Sequence, residues 1–137
     1  MSKKKLPEIR VDFYMASQDA DLNEITKTLG LEPDMVKKKN EWPQGTVKAG
    51  LAHDSWSIST QPEHLLSIDE KCSQLIGILS EKENDIRYLS NKYNMEVGFL
   101  VIIQAKKMAL PELFLEETTI KFLASIKASI GFDMYVY

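Results

Sequence analysis

The sequence has few of the residues that cross-link or metallate small proteins. It contains one cysteine, Cys72, and two histidines among 137 residues. One cysteine cannot form an internal disulfide, and there is no pair of thiols for a structural zinc site. Cys72 lies on the apolar stripe of a predicted helix, so we expect a buried, unreactive thiol. This cysteine usage is typical of a reducing compartment, and we expect a cytoplasmic protein without a bound metal.

Long apolar runs are also missing. The longest apolar stretch, Val97 to Ile103, is far too short to span a bilayer. The three lysines at residues 3–5 lead into Leu6, Pro7 and Glu8 rather than into the apolar segment of a signal peptide. We therefore expect no association with a membrane.

The sequence has neither an excess of basic residues nor a glycine-rich loop. Its 17 Lys+Arg and 20 Asp+Glu give a net charge of −3, whereas a general nucleic-acid-binding protein needs a basic surface. The six glycines are scattered, and they form neither a phosphate-binding loop nor a dinucleotide-binding motif. We expect no nucleic-acid partner and no cofactor.

What is present is the size and composition of one globular domain. The chain is 44% hydrophobic and 27% charged, and 137 residues suffice for a substantial core. We expect residues 1–137 to form a single domain, with residues 1–6 as a disordered basic tail.

Alternating apolar and polar residues predict several β-strands. The clearest alternation, from Glu8 to Met15, places Ile9, Val11 and Phe13 on one side. Similar patterns predict strands over residues 34–39, 55–60, 95–104 and 132–137, with a brief edge strand over 110–115.

Apolar residues at helical spacing predict four helices. The clearest begins at Ser67, which forms a capping-box pattern with Glu70. The four predicted ranges are 21–29, 67–79, 80–94 and 118–129. Gly30 and Asn94 are suited to end helices, and Gly131 is expected to break the last one. Residues 40–53 are predicted to form a loop or loose hairpin.

The order of these elements predicts an α+β fold. Helices and strands with one apolar face each suit a two-layer sandwich, with the helices mainly on one face of the sheet. We expect a ferredoxin-like, split βαβ arrangement, and a sheet wrapped around its longest helix is the alternative.

Several segments together resemble a known family. They are Ile25 to Pro33, Ser55 to Ser59, the apolar stripe of the helix at Ser67, and the closing segments 110–115 and 130–135. Their order and spacing resemble a bacterial family of domains of unknown function, the one numbered four-two-seven-nine. The resemblance covers nearly the whole chain after the basic tail. It assigns no activity, although analogy with other small bacterial proteins suggests immunity proteins that neutralise toxins.

Two strands carry candidate binding residues on their polar sides. Arg10, Asp12 and Tyr14 share one side of the first strand. The matching set on the last strand is Asp133, Tyr135 and Tyr137. Tyrosine and arginine dominate the energetics of protein interfaces, so an open sheet face bearing these residues predicts a contact surface.

The two tryptophans receive different predictions. Trp56 alternates with Ile58 in a strand and is expected in the core. Trp42 lies between Glu41 and Pro43 in a predicted loop, so an exposed Trp42 is a further candidate for binding.

The histidines offer the best catalytic hypothesis in the sequence. His53 or His64 would act as a general base oriented by Asp54 or Glu63. No serine, cysteine or threonine lies in a nucleophile motif, and no spacing of His, Asp and Glu supplies a metal site. We therefore expect surface histidines and assign no catalytic residue.

Three functional hypotheses follow. The favoured one is a non-catalytic protein-binding module, in its narrower form an immunity-like toxin neutraliser. The second is a self-associating structural or regulatory domain that pairs through an edge strand, either 34–39 or the C-terminal strand. The third is a small enzyme whose site is built from scattered polar residues. The sequence fixes neither the partner nor the oligomeric state.

Overall fold

The computed structural model describes residues 6–137. In this part of the chain the strands are β1 (Glu8–Ser17), β2 (Met35–Lys37), β3 (Asp54–Ser59), β4 (Glu63–His64), β5 (Glu96–Ala105) and β6 (Ser129–Val136). The helices are α1 (Leu22–Leu29), α2 (Gln44–Lys48), α3 (Ile68–Leu79), α4 (Glu83–Tyr93) and α5 (Glu117–Ser125). The predicted tail lies outside the described residues except for Leu6, whose carbonyl oxygen is 3.0 Å from Nδ1 of His64.

The strands form one mixed sheet. Its order is β2-β3-β1-β5-β6, and β4 pairs with the start of β1. β1 is antiparallel to β3, β4 and β5, whereas β5 and β6 are parallel neighbours connected through α5. The α+β class is therefore confirmed. The finer prediction of a ferredoxin-like arrangement is not confirmed. β1 and β2 are parallel across β3, and β3 and β5 are parallel across β1, but the sheet also contains β6, which joins β5 directly as a parallel neighbour.

The core lies between the helices and one face of the sheet. Every second residue of β1 from Ile9 to Met15 is fully buried. Phe13 packs edge-to-face between Trp56, at 6.4 Å, and Phe99, at 6.1 Å between ring centroids. Helices α1, α3, α4 and α5 contribute buried apolar residues to this same core. Trp56 is thus a core residue as predicted, and its indole N–H donates to Oγ1 of Thr26.

The helix ends follow the signals in the sequence. The Asp21 carboxylate accepts hydrogen bonds from the first backbone N–H groups of α1, and Gly30 ends this helix with a φ of 65°. Ser67 caps α3 by accepting from the N–H of Glu70. Asn94 ends α4 with a φ of 51°.

The segment between β5 and β6 differs from the prediction. Residues 110–115 were expected as an edge strand, but only Glu112 forms a single β-bridge, to Ser67. The segment instead crosses to the start of α3, where Asp69 accepts hydrogen bonds from the N–H of Glu116 and from the Thr119 hydroxyl. This prediction was wrong because its apolar residues pack as a loop beside α3 and α5 rather than pairing along a strand.

Other boundaries differ as well. Helix α5 ends at Ser125 rather than at Ser129, because Lys127 makes the turn with a φ of 54°. β6 begins at Ser129 rather than at Phe132, so Gly131 lies inside the strand. The loop predicted over residues 40–53 contains the short helix α2 and a 3-10 turn at Lys39–Glu41.

Within residues 6–137, no helix is long and apolar enough to cross a membrane.

Candidate functional site

The sheet has a second face, turned away from the four core helices, which we call the outer face. Its side chains are half-exposed or exposed along most of its length. By strand register it comprises Glu8, Arg10, Asp12, Tyr14 and Ala16 of β1; Met35 and Lys37 of β2; Ser55, Ser57 and Ser59 of β3; Glu96, Gly98, Leu100, Ile102 and Gln104 of β5; and Gly131, Asp133 and Tyr135 of β6.

Tyr14 is the less exposed of the two tyrosines assigned to the outer face by strand register, Tyr14 and Tyr135. Its ring lies directly over Gly98, so that a Cβ added at Gly98 would come within 2.8 Å of the Tyr14 Cε1 atom. The absence of a side chain at Gly98 is therefore what allows the Tyr14 ring to pack against the neighbouring strand. The Tyr14 hydroxyl is 3.4 Å from Oε1 of Glu96. Burial first, and then the negative charge of Glu96, raise the pKa of Tyr14.

Arg10 and Asp12 form an ion pair beside Tyr14. The Arg10 Nε lies 3.1 Å from Oδ1 of Asp12, and both side chains are partly exposed. The two residues belong to one strand and point to the same side of the sheet. The pair therefore presents a guanidinium and a carboxylate next to an ordered aromatic ring, as the sequence predicted for β1.

The structure places the candidate residues of β6 on the same face but not against those of β1. Arg10 is opposite Ile102 of β5, and Ile102 is opposite Asp133 of β6. Two strand spacings, about 10 Å, thus separate Arg10 from Asp133. Leu100 and Ile102 fill the space between the two sets, so the candidate site is a wide face with an apolar centre. Tyr137 follows β6 and is exposed, with its N–H bonded to the carbonyl of Ala105.

Trp42 lies at the β2–β3 end of the sheet. Its indole N–H donates to the carbonyl of His53 at 2.8 Å, and its ring centroid is 4.7 Å from that of the His53 ring. The Lys37 ammonium lies 3.9 Å from the centroid of the Trp42 ring, a cation–π contact. Trp42 is half-exposed, so it forms a rim to the outer face rather than a free loop tip.

A shallow depression of about 400 Å³ occupies the outer face beside Tyr14. It is lined by Asp12, Tyr14, Ala16, His53, Ser55, Ser57, Glu96 and Leu100. Sequence reasoning identified two of these side chains and missed His53, Glu96 and Leu100 as parts of the same surface. The alternation of β5 could have identified Glu96 and Leu100, but only the register of β5 against β1 places them beside Asp12 and Tyr14.

The two carboxylates predicted to orient the histidines bind other groups of the domain. The Asp54 carboxylate accepts hydrogen bonds from the backbone N–H groups of Ala20, at 3.0 Å, and Lys39, at 2.8 Å. The Glu63 carboxylate accepts from the buried ammonium of Lys71 at 2.8 Å. His53 faces the Leu51 carbonyl, and His64 lies 3.7 Å from the carboxylate of Glu8. His64 thus has carbonyl and carboxylate neighbours, those of Leu6 and Glu8, that differ from the partners predicted for it.

Burial also determines the reactivity of Cys72. Cys72 is fully buried, and burial followed by the nearby charge of Asp69 raises its pKa to about 12. Its thiol is therefore protonated near neutral pH and is a poor nucleophile. Among residues 6–137, no group of three or more His, Cys, Asp or Glu side chains is arranged to hold a metal ion.

A second surface was missed by sequence reasoning. An apolar groove of about 420 Å³ runs between α5, β6 and the segment 110–115. Its lining residues are Ile68, Leu113, Phe114, Leu115, Ile120, Phe132 and Met134. The alternation of Phe132 and Met134 indicates part of this apolar surface, but the sequence predicts a strand, and not a groove wall, for Leu113, Phe114 and Leu115.

The fold and the candidate site together define an α+β sandwich with one helix-covered and one open sheet face. The chain belongs to DUF4279, a family of domains of unknown function, which matches residues 7–137. The family resemblance seen in the sequence is therefore confirmed. No curated protein and no solved structure matches the chain.

Proposed function

We propose that this protein is a non-catalytic protein-binding module that contacts its partner through the outer face of the sheet. The observation that carries the proposal is the fixed arrangement of Tyr14 over Gly98, next to the Arg10–Asp12 ion pair. An aromatic ring that is already ordered loses little conformational entropy on binding. Aromatic and arginine side chains around an apolar centre are the composition of an interface hot spot.

The charge of the outer face favours a basic partner. Four carboxylates, those of Glu8, Asp12, Glu96 and Asp133, are set against two cations, Arg10 and Lys37, on the described strands. The net charge of −3 has the same sign. Such a surface accelerates encounter with a cationic protein by electrostatic steering. The narrower form of the proposal is an immunity-like protein that neutralises a basic toxin, acting in the cytoplasm.

The experiment compares two exposed tyrosines on opposite sides of the domain. Tyr135 on β6 is 58% exposed on the outer face, and Tyr88 on α4 is 52% exposed on the helical side. Tagged wild-type protein, Tyr135→Ala and Tyr88→Ala are used to capture partners from the native host, and each retained protein is quantified. Capture of one stoichiometric partner should fall about tenfold or more with Tyr135→Ala only, as expected for a hot-spot residue.

Two further results bear on this experiment. The association rate with the captured partner should fall as salt is raised, since screening weakens steering between opposite charges. A partner lost equally with Tyr88→Ala, or retained in full with both Tyr135→Ala and Tyr14→Ala, would contradict use of the outer face. A partner whose association rate is insensitive to salt would contradict its basic character.

The self-association hypothesis has separate support, from β6. This strand is at one end of the sheet order and carries exposed apolar residues.

A further inference from the structure

Strand β6 presents an open edge for hydrogen bonding. Tyr137 uses both its N–H and its C=O to bond the β5 side, with Ala105 and Lys107. Because backbone groups alternate in direction along a strand, residues 135, 133, 131 and 129 also face β5. The N–H and C=O groups of Phe132, Met134 and Val136 therefore point away from β5. In the part of the chain that the structure describes, no strand pairs with β6 on that side.

The same three residues carry apolar side chains that are not fully covered. By register with Val101, Ile103 and Ala105 they lie on the helical side of the sheet. All three side chains remain exposed, and Phe132 and Met134 line the apolar groove together with Leu113, Phe114 and Ile120. β6 contains one charged residue, Asp133, and no proline. Apart from Asp133 it lacks the charges and prolines that normally protect a sheet edge from pairing, and its register with β5 contains no bulge.

The exposed area matches what a stable dimer needs. The groove rim and β6 together expose eight large side chains, six on the helical side of the sheet and two, Tyr135 and Tyr137, at outer-face positions of the strand: Leu113, Phe114, Ile120, Phe132, Met134, Tyr135, Val136 and Tyr137. If each still exposes roughly 100 Å², about half the surface of a large side chain, the patch amounts to about 800 Å² per copy. That is the contribution of each partner to an interface of standard size. The patch contains both a groove and protruding apolar side chains, so it can be complementary to itself.

The position of Asp133 and the length of β6 determine how two β6 strands can pair with each other. A two-fold axis at Asp133 would place two carboxylates directly opposite each other, which is destabilising. An axis at Phe132 would set Val136 and Tyr137 against residues that precede β6. An axis at Met134 pairs Phe132 with Val136 and Asp133 with Tyr135 of the second copy, and it keeps the ladder within residues 131–137.

We infer that two copies of this chain associate through β6, paired antiparallel about a two-fold axis at Met134. The sheets of both copies then form one continuous sheet, and the groove rim of each copy packs against that of the other. The inference rests on β6 and its groove and not on the proposed function, and Tyr135 is the one residue that belongs both to the paired strand and to the tested outer face. It leaves Arg10, Asp12 and Tyr14 of both copies open on the same side of the joined sheet.

The first test compares lysine substitutions on the two edge strands. Sedimentation equilibrium should give wild-type protein twice the 15.6 kDa mass of one chain. Met134→Lys should give a single-chain mass, because it places two ammonium groups at the axis. Met35→Lys is the matched control, since Met35 is an exposed residue of β2 at the other edge of the sheet, and it should remain dimeric. Circular dichroism checks that both variants are folded.

The second test does not depend on tolerance of a charge. In a hydrogen-bonded antiparallel pair, facing Cα atoms lie about 5.5 Å apart, within the range for a disulfide. Met134→Cys should therefore form a covalent dimer under mild oxidation, whereas Tyr88→Cys, on the exposed side of α4, should not. Cys72 does not interfere because it is buried.

Three results would overturn the inference. They are a monomeric wild-type protein whose Met134→Cys variant does not cross-link, a dimer that survives Met134→Lys, and a dimer that dissociates with Met35→Lys. Absence of a dimer and of cross-linking would mean that the β6 edge pairs, if at all, with a strand of another protein. Dissociation by Met35→Lys would place the dimer interface at β2.

Discussion

The two faces of the sheet are built from alternate residues of the same strands and differ in nearly every physical property. On β1, Phe13 is fully buried between two aromatic rings, whereas Tyr14 lies half-exposed over a glycine. Core contacts on the inner face involve four helices, while the polar contacts on the outer face join adjacent strands or residues of one strand. The comparison indicates that the inner face determines stability, whereas the outer face carries few of the contacts that hold the fold together.

The largest expected effect is at Phe13. Phe13→Ala should lower the free energy of unfolding by about 3–5 kcal/mol, because it leaves a cavity between Trp56 and Phe99. Tyr14→Ala, one residue away, should lower it by roughly 1 kcal/mol or less, since surface substitutions have small effects. Urea unfolding of both variants measures the difference. Equal losses would show that the outer face also supports the fold.

A buried carboxylate gives the next largest effect. The Asp54 side chain is buried and accepts from the N–H groups of Ala20 and Lys39, which ties two loops to the start of β3. Asp54→Ala leaves these donors unpaired and should cost about 1–3 kcal/mol in unfolding free energy. Ser57→Ala, on the outer face of the same strand, is the control and should change stability by less than about 0.5 kcal/mol. A similar loss for Ser57→Ala would remove the distinction between the faces.

The inner face was predictable from the sequence because burial imposes a period on the residues. The alternation of β1 and the stripe of α3 identify Ile9, Val11, Phe13, Leu75 and Leu79, all of which are fully buried. The caps at Asp21, Ser67 and Asn94 are local, so they too were predictable. Lys71 was not, because nothing near it in sequence indicates that Glu63 meets its ammonium under the helix.

The outer face was predictable residue by residue but not as an arrangement. Arg10, Asp12 and Tyr14 were placed on one side correctly, yet the sequence contains no information on which strand lies beside β1. The pairing of β5 with β1 sets Gly98 under Tyr14, and that of β6 with β5 sets Asp133 two strands from Arg10. Long-range register depends on how all the helices pack, which a single sequence does not display.

The helical layer and the outer face of the sheet should also differ in how the stability that their charges contribute depends on pH. On the solvent side of the helical layer, Glu24 of α1 accepts hydrogen bonds from Lys92 and Tyr93 of α4. The Lys92 hydrogen bond, and then that of Tyr93, lower the pKa of Glu24 below its ordinary value of 4.5. Its stabilising contribution is therefore fully present above pH 4.5 and is lost as pH falls through the folded-state pKa.

The corresponding experiment compares Glu24→Gln with Asp12→Asn. Glu24→Gln should lower the urea midpoint at pH 7, and its difference from wild type should shrink as the pH is lowered toward 3. Asp12→Asn should have a smaller effect at pH 7, because the Arg10–Asp12 pair lies within one strand and joins no distant elements. A Glu24→Gln difference that is constant with pH would contradict the role assigned to its charge.

The smallest expected change in stability is at Gly98, where the outer face is most specifically built. Gly98→Ala forces the Tyr14 ring off β5, but the ring is at the surface and can swing into solvent. Alanine is also better tolerated than glycine inside a strand, so the net change in unfolding free energy should stay within about 1 kcal/mol. The displaced ring should lose its burial, and the raised pKa of Tyr14 should fall back toward 10.0.

Phenolate absorbance resolves this change when the titration of a Tyr14→Phe variant is subtracted. Gly131→Ala is the matched control on the same face, since its Cβ would meet Leu100 Cδ1 at an ordinary 3.6 Å and leave Tyr14 in place. If Gly98→Ala leaves the Tyr14 titration unchanged but strongly destabilises the protein, the ring is locked by the strand beneath it. Tyr14 would then be a residue that stabilises the fold, and the proposed binding of a partner would rest on Arg10, Tyr135 and Trp42.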